Sequence, residues 1–79
     1  MTIKNVFPNQ TEATLNNGDI VFFSYETPVA AFVSGRGILR TEEKFSRTTT
    51  KHINAFIERT NPKSTVTIVP QAEIENLSV

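Results

Sequence analysis

The stretch FSRTTTKHINAFI, residues 45–57, decides the fold, because it holds the longest series of apolar residues at helical spacing. Ser46 is a good N-cap, since its hydroxyl can accept a hydrogen bond from a backbone N–H two or three residues further on. The face that we expect to pack inward comprises Thr49, Thr50, Ile53, Phe56, Ile57 and Thr60. The opposite face comprises Arg47, Lys51, Asn54 and Glu58. We predict one main helix over about residues 46–60, ended by Asn61-Pro62 because the residue before proline avoids the helical region.

Turn signals divide the residues before this helix into strands. NNGD, residues 16–19, contains the Asn-Gly pair that favours a two-residue type I′ hairpin turn. ETP, residues 26–28, breaks the chain because proline lacks the N–H that a strand ladder needs, and SGRG, residues 34–37, is a second tight turn. The predicted strands between these breaks cover residues 11–15, 20–25, 29–33 and 38–45.

The residues after the helix predict one more strand and a short final element. STVTIV, residues 64–69, alternates with the two-residue period of a strand, so that Val66 and Ile68 share one face. QAEIENL, residues 71–77, is typical of a short helix or turn. We therefore predict a single α+β domain over residues 1–79. It has an antiparallel sheet of four to five strands, one main helix packed on one face, and a short C-terminal helix or turn.

The composition excludes several classes of protein. The chain has no cysteine, which excludes a disulfide framework and thiolate metal sites. Eight basic and eight acidic side chains balance overall, but residues 36–63 carry a net charge of +4 and the segments on either side carry −2 each. No apolar run approaches the length of a membrane span, and the first residues lack the apolar core of a signal peptide. We expect a cytosolic protein that does not bind membranes.

Candidate catalytic and metal-binding residues are few. His52, the only histidine, and Ser46 lie six residues apart on the predicted helix. That spacing corresponds to about 240° around the helix axis, so the two side chains cannot form a triad with Asp19. The acidic pairs at 42–43 and 73–75 are isolated, whereas metal sites need clustered ligands. We therefore expect no enzymatic activity, no bound metal and no cofactor.

The start of the predicted helix is a candidate anion site. Arg47 and Lys51 lie in its first turns, where cations oppose the helix dipole. The hydroxyls of Ser46 and Thr48, with backbone N–H groups beside them, could bind an anion together with these cations. The alternative is that the segment is only a helix start, with threonines 49–50 packed inward and the two cations solvated.

A second candidate surface comes from the predicted strand 20–25, which has apolar residues on both faces. One main helix covers only one face, so we expect a remaining apolar patch for a partner or a second copy. Phe22, or its neighbour across the pleat, would supply affinity, with Arg36 and Arg40 at the rim. His52 lies beside the apolar helix face. There it is either half-buried and hydrogen-bonded to a neighbour, or it has a binding or pH-sensing role.

Two segments carry a resemblance to known proteins. They are FSYETPVAAFV, residues 23–33, and KFSRTTTKHINAFI, residues 44–57. They resemble the SYxTPVA-type and FSxTTxKHI-type segments of a family of small uncharacterised proteins encoded by bacteriophages and related mobile elements. The likeness extends over about residues 21–77. It implies a viral accessory protein and carries over no catalytic residue.

The sequence leads to one functional hypothesis and two alternatives. We expect a small bacteriophage accessory protein that binds a host protein stoichiometrically in the host cytoplasm, as an inhibitor of a host enzyme or defence complex. The alternatives are a nucleic-acid-binding module that uses the basic segment 36–63 and a homo-oligomeric structural protein. The candidate binding residues are Phe22, Arg36, Arg40, Arg47, Thr48, Lys51 and His52.

Overall fold

The described part of the chain forms one sheet and two helices. The computed structural model describes residues 2–60, 63 and 65–77. The strands are β1 (Thr2–Phe7), β2 (Gln10–Thr14), β3 (Ile20–Ser24), β4 (Thr27–Val33), β5 (Gly37–Thr41) and β6 (Val66–Val69). The main helix α1 spans Arg47–Thr60 and the short helix α2 spans Gln71–Leu77. The α+β class and both helices are confirmed, whereas the predicted helix end at Asn61-Pro62 and the predicted strand start at Ser64 lie outside the described residues.

The strands follow one another across the sheet in chain order, from β1 at one edge to β6 at the other. Neighbours from β1 to β5 pair antiparallel, whereas β6 runs parallel to β5. The prediction of an antiparallel sheet with four to five strands is therefore wrong, because the sheet of the described residues is mixed and has six strands. β6 is parallel because α1 lies between β5 and β6 and returns the chain to the end of the sheet at which β5 begins.

β1 is the strand that the sequence did not indicate. Its residues TIKNVF show no clear alternation of apolar and polar side chains, and most of them are exposed. The strand exists because it pairs with β2, with Ile3 opposite Ala13. The turn between the two strands contains Asn9 at φ 63°, a left-handed conformation that asparagine tolerates better than most residues.

The hairpin between β2 and β3 is confirmed, but its turn differs from the predicted type. Gly18 has a φ of 92°, whereas Asn17 lacks the positive φ that a type I′ turn requires there. The Gly18 N–H instead donates to the Leu15 carbonyl at 3.0 Å, and the Leu15 N–H donates to the Asp19 carbonyl at 2.7 Å. The connection is therefore a longer loop closed by a glycine with positive φ.

Two predicted strand boundaries also change. β4 begins at Thr27 and includes Pro28, which lies beside a shift in register of β3, and irregular pairing of this kind is where sheets accept proline. β5 ends at Thr41 instead of continuing to residue 45. Residues 42–46 consequently lead from the sheet to α1 without regular structure.

α1 covers one face of the sheet, where it packs against β3 and β4. Phe56 stacks on Phe22, with ring centroids 4.8 Å apart and an interplanar angle of 14°. Ile53 joins the same buried cluster. The buried residues of α1 include Thr49, as predicted, but Thr50 is exposed because the next helical position is rotated by about 100°. The expectation that Thr50 packs inward is therefore wrong.

α2 covers part of the opposite face. Ile74 is fully buried in a second cluster with Leu39 and Val69, and Leu77 packs against it. The two helices thus lie on different sides of the sheet. Neither of them reaches the α1 side of β6, which leaves the surface described next.

Candidate functional site

A groove of about 710 Å³ lies between the start of α1 and the last strand, and we call it the α1–β6 groove. It exists because α1 packs over β3 and β4, which leaves the neighbouring side of β6 uncovered. Arg40 of β5 and Ile68 of β6 are partners in the sheet register and so lie side by side within it. The groove is lined by residues 40–47 together with Thr49, Thr50, Lys51, Ile53 and Ile68.

The groove brings four cations together. They are Arg40, Lys44, Arg47 and Lys51. Within the described part of the chain, none of the four has an ion-pair partner. Glu42 and Glu43 also line the groove, so its ionisable side chains carry a net charge of +2. The groove therefore attracts an anionic group, although the chain as a whole has no net charge.

The remaining arginines of the basic segment are engaged in the fold. Arg36 Nη2 donates to Glu73 Oε1 at 2.8 Å, which links the β4–β5 turn to α2. Arg59 Nε donates to Glu12 Oε2 at 2.9 Å, and its guanidinium also lies 5.4 Å from the centre of the Phe22 ring. The predicted site residue Arg36 therefore lies at the other end of β5, outside the groove.

Exposed apolar side chains accompany the cations. Ile68 is 66% exposed and Phe45 is 48% exposed, and both line the groove. Val66 shares the face of β6 with Ile68 and is 39% exposed. The predicted alternation of Val66 and Ile68 is thus confirmed, but the face that they share is the uncovered one, whereas Val69 is buried.

Phe22 does not contribute to any surface. It is fully buried beneath α1, where its ring stacks on Phe56. The expectation that Phe22 supplies affinity for a partner is therefore wrong, because the helix covers the face of β3 that carries it. Of its neighbours across the pleat, Val21 is also fully buried and Phe23 is half-buried. Exposed apolar residues lie instead on β6 and at residue 45, beside the cations, and also at Ile3, Phe7 and Tyr25, away from the groove. The site on β6 was missed from the sequence. The available signal was the Val66–Ile68 alternation in a strand after the crossover helix, where a sheet edge is expected.

The start of α1 is capped as predicted. The Thr49 N–H donates to Ser46 Oγ at 3.1 Å, and the Thr50 N–H donates to the Ser46 carbonyl at 3.0 Å. Arg47 of this first turn lines the groove, whereas Thr48 is exposed and does not line it. The structure therefore groups three of the seven predicted binding residues, namely Arg40, Arg47 and Lys51.

His52 takes part in a polar network between α1 and β3. Its Nδ1 lies 2.7 Å from Ser24 Oγ, which is also hydrogen-bonded to Thr49 Oγ1 at 3.3 Å. This confirms the half-buried, hydrogen-bonded histidine that we considered from the sequence. A serine and a histidine at this distance can act as nucleophile and base, but Ser24 is only 2% exposed, so this pair is buried between α1 and β3. Ser24 was missed because its partner lies 28 residues away in the chain.

Two further kinds of site are absent from the described residues. No three His, Asp or Glu side chains come together there in a cluster that could hold a metal ion. One of the predicted acidic pairs is also engaged elsewhere, since Glu73 binds Arg36. Neither α1 nor α2, the helices of the same part of the chain, is long and apolar enough to cross a membrane.

The fold and the site define a small α+β domain with a basic, partly apolar groove beside a sheet edge. The chain belongs to a family of unknown function, DUF8033, whose model matches residues 1–76. A search of curated proteins found no match, and neither did a search of solved structures. The expected membership in a family of uncharacterised function is confirmed, while the bacteriophage or mobile-element origin and the two family segments stay predictions.

Proposed function

We propose that this chain is a non-catalytic accessory protein that binds a partner protein stoichiometrically through the α1–β6 groove. The observation that supports this function best is the grouping of exposed apolar side chains with cations that have no ion-pair partner among the described residues. The residues concerned are Arg40, Lys44, Arg47, Lys51, Phe45 and Ile68.

The composition of the groove matches the way in which protein interfaces bind. Apolar side chains at the centre of an interface supply affinity, and arginines at its rim select and orient a partner. Phe45 and Ile68 offer the apolar surface, and Arg40 and Arg47 the charge.

The biological setting comes from the resemblance to small proteins of bacteriophages and mobile elements. In that setting the partner is a host protein in the host cytoplasm, and binding inhibits a host enzyme or a defence complex.

Capture of a partner from host lysate tests the proposed site when two matched variants are compared. Arg47→Glu reverses a charge in the groove, whereas Thr48→Glu adds an acid to the next residue, outside the groove. Both place a carboxylate in the first turn of α1, so both should leave stability unchanged or raise it by about 0.3–1 kcal/mol through the helix dipole.

We expect a near-stoichiometric partner to be recovered with the wild type and with Thr48→Glu, and to be lost with Arg47→Glu. Thermal unfolding of all three proteins checks that the fold is intact. Full recovery with Arg47→Glu, or no partner with the wild type in lysates of several hosts, would show that the groove does not have this function.

Nucleic-acid binding is the second candidate, and the four cations grouped in the groove favour it specifically. If all four contact phosphates of duplex DNA, the logarithm of the binding constant should fall against the logarithm of salt concentration with a slope of roughly −3.6. Affinity would then fall about 100-fold between 50 and 200 mM salt. A gel-shift series measures this slope, and the absence of a shift at the lowest salt would exclude this candidate.

A further inference from the structure

β6 is an edge strand, and in the described part of the chain no strand pairs with its outer side. Its inner side bonds to β5, where the Glu42 N–H donates to the Val69 carbonyl at 2.8 Å. Backbone groups of successive strand residues point alternately to the two sides of the strand. The N–H and C=O groups of Val66 and Ile68 consequently point outward, away from β5.

The two edges of the sheet differ in how they are protected against further strands. β1 carries the charged Lys4 and an irregularity of register between Asn5 and Phe7, both of which are usual means of protecting an edge. β6 has the sequence VTIV, with no charge and with regular pairing to β5. Two features limit a ladder on β6: the strand has only four residues, and Pro70 at its end lacks an N–H. β6 is therefore the edge that is suited to accept another strand.

We propose that the partner contributes an acidic, extended segment that adds to the outer edge of β6 as a further strand. This inference rests on the proposed function and specifies the chemistry of the partner. The segment would pair its backbone with Val66 and Ile68, as in other cases of β-strand addition. Its apolar side chains would cover Ile68, and its carboxylates would face the cations of the α1–β6 groove.

The sheet register places these groups within reach of one another. Arg40 is the register partner of Ile68, so the order across the sheet is Arg40, Ile68 and then the added residue. Two strand spacings separate Arg40 from that residue, which is about 9.5 Å between backbones. An arginine and a glutamate that extend toward each other over Ile68 span this distance. Arg47 and Lys51 then stand on the same side of the sheet, at the start of α1.

Charge disfavours a second copy of this chain as the occupant. Two β6 strands that pair antiparallel are related by a two-fold axis perpendicular to the sheet, which places both grooves on the same side. Each groove carries a net charge of +2 from the side chains that line it, so the two copies repel one another there. Glu42 and Glu43 repel phosphates and carboxylates alike, so charge does not separate a nucleic acid from an acidic peptide. The acidic peptide is favoured because it can also form the outward backbone bonds of β6, which a phosphate chain cannot do as a paired strand.

A yeast-displayed library of random twelve-residue peptides, selected on the immobilised protein, tests the inference. The selected peptides are synthesised with a fluorescent label and titrated against three variants. Ile68→Pro removes the outward N–H, Ile68→Thr keeps that N–H and a β-branched side chain, and Arg47→Glu reverses a groove charge. Far-UV circular dichroism and thermal unfolding confirm that each variant is folded.

We expect the selected peptides to be acidic and rich in β-branched residues. Their affinity should fall at least about tenfold with Ile68→Pro and with Arg47→Glu, and less with Ile68→Thr. N-methylation of alternate peptide residues should abolish binding in one register and preserve it in the other, because only every second N–H of an added strand faces β6.

Other outcomes would overturn strand addition in distinguishable ways. Neutral or basic peptides, no selected peptide, or binding that both N-methylated registers retain would show that no acidic strand adds to β6. Loss of binding with Arg47→Glu but not with Ile68→Pro would contradict strand addition to β6 and would still support partner binding in the α1–β6 groove. Binding that both variants retain would contradict both strand addition and the binding function of the α1–β6 groove. A dimer by light scattering that Ile68→Pro dissociates, or an oligonucleotide that displaces the peptide, would identify a different occupant.

Discussion

Replacing Phe56 with alanine tests the packing that positions the α1–β6 groove. Phe56 is fully buried, and its ring stacks on Phe22 at 4.8 Å between centroids. The Arg59 guanidinium lies 5.9 Å from the same ring. Phe56→Ala therefore removes both the largest side chain that α1 places in the core and an aromatic pair, and leaves a cavity between helix and sheet.

The expected loss of stability is about 3–5 kcal/mol, the usual cost of changing a buried phenylalanine to alanine. A domain of 79 residues has a total stability of roughly 4–12 kcal/mol, so the change consumes much of it. The average unfolding entropy per residue converts each kcal/mol into about 6 °C of melting temperature for a chain of this length. Phe56→Ala should therefore lower the Tm by about 20–30 °C.

Urea unfolding followed by far-UV circular dichroism measures the loss, and Phe45→Ala is the matched control. Phe45 is the same residue type just before α1, but it is 48% exposed, so its removal should change stability by less than about 0.5 kcal/mol. If Phe56→Ala leaves too little folded protein to measure, Phe56→Leu keeps most of the volume and should fall between the two. Equal losses at Phe45 and Phe56 would show that the helix face is assigned incorrectly.

Three further substitutions test local features of the fold. Gly18→Val should lower the free energy of unfolding by at least about 1–2 kcal/mol, because a β-branched residue resists the φ of 92°. The cost comes from the backbone alone, since a Cβ at this position would meet no atom within 4 Å. An unchanged urea midpoint would contradict the loop geometry. Ser46→Ala should lower the free energy of unfolding by about 1 kcal/mol, because it removes the N-cap of α1. Amide hydrogen exchange should then show weaker protection in the first turn of α1. Ser24→Ala should lower the free energy of unfolding by about 1–3 kcal/mol, because His52 Nδ1 loses its partner. The control Ser34→Ala, in an exposed turn, should change it by less than about 0.5 kcal/mol. Similar melting temperatures for the two variants would contradict the buried network.

Local patterns in the sequence determined the main helix and its inward face. Ile53 and Phe56 recur at helical spacing, and Ser46 supplies the hydroxyl that caps the first turn. Each of these features depends on residues within four positions of one another, which is the range over which backbone hydrogen bonds and side-chain periodicity act in a helix. The hairpin around Gly18 was predictable for the same reason, although its turn type was not.

The tertiary structure alone decided which residues remain available for binding. Phe22 and Ile68 are both apolar strand residues, but α1 packs over β3 and not over β6, so that one is buried and the other exposed. In the same way, Arg59 forms an ion pair with Glu12, which is 47 residues away in the chain. Arg47 has no ion-pair partner in the described part of the chain. β1 likewise is a strand only because its backbone pairs with that of β2. Burial, pairing and sheet edges depend on contacts between elements distant in the chain, and no periodicity within one segment specifies them.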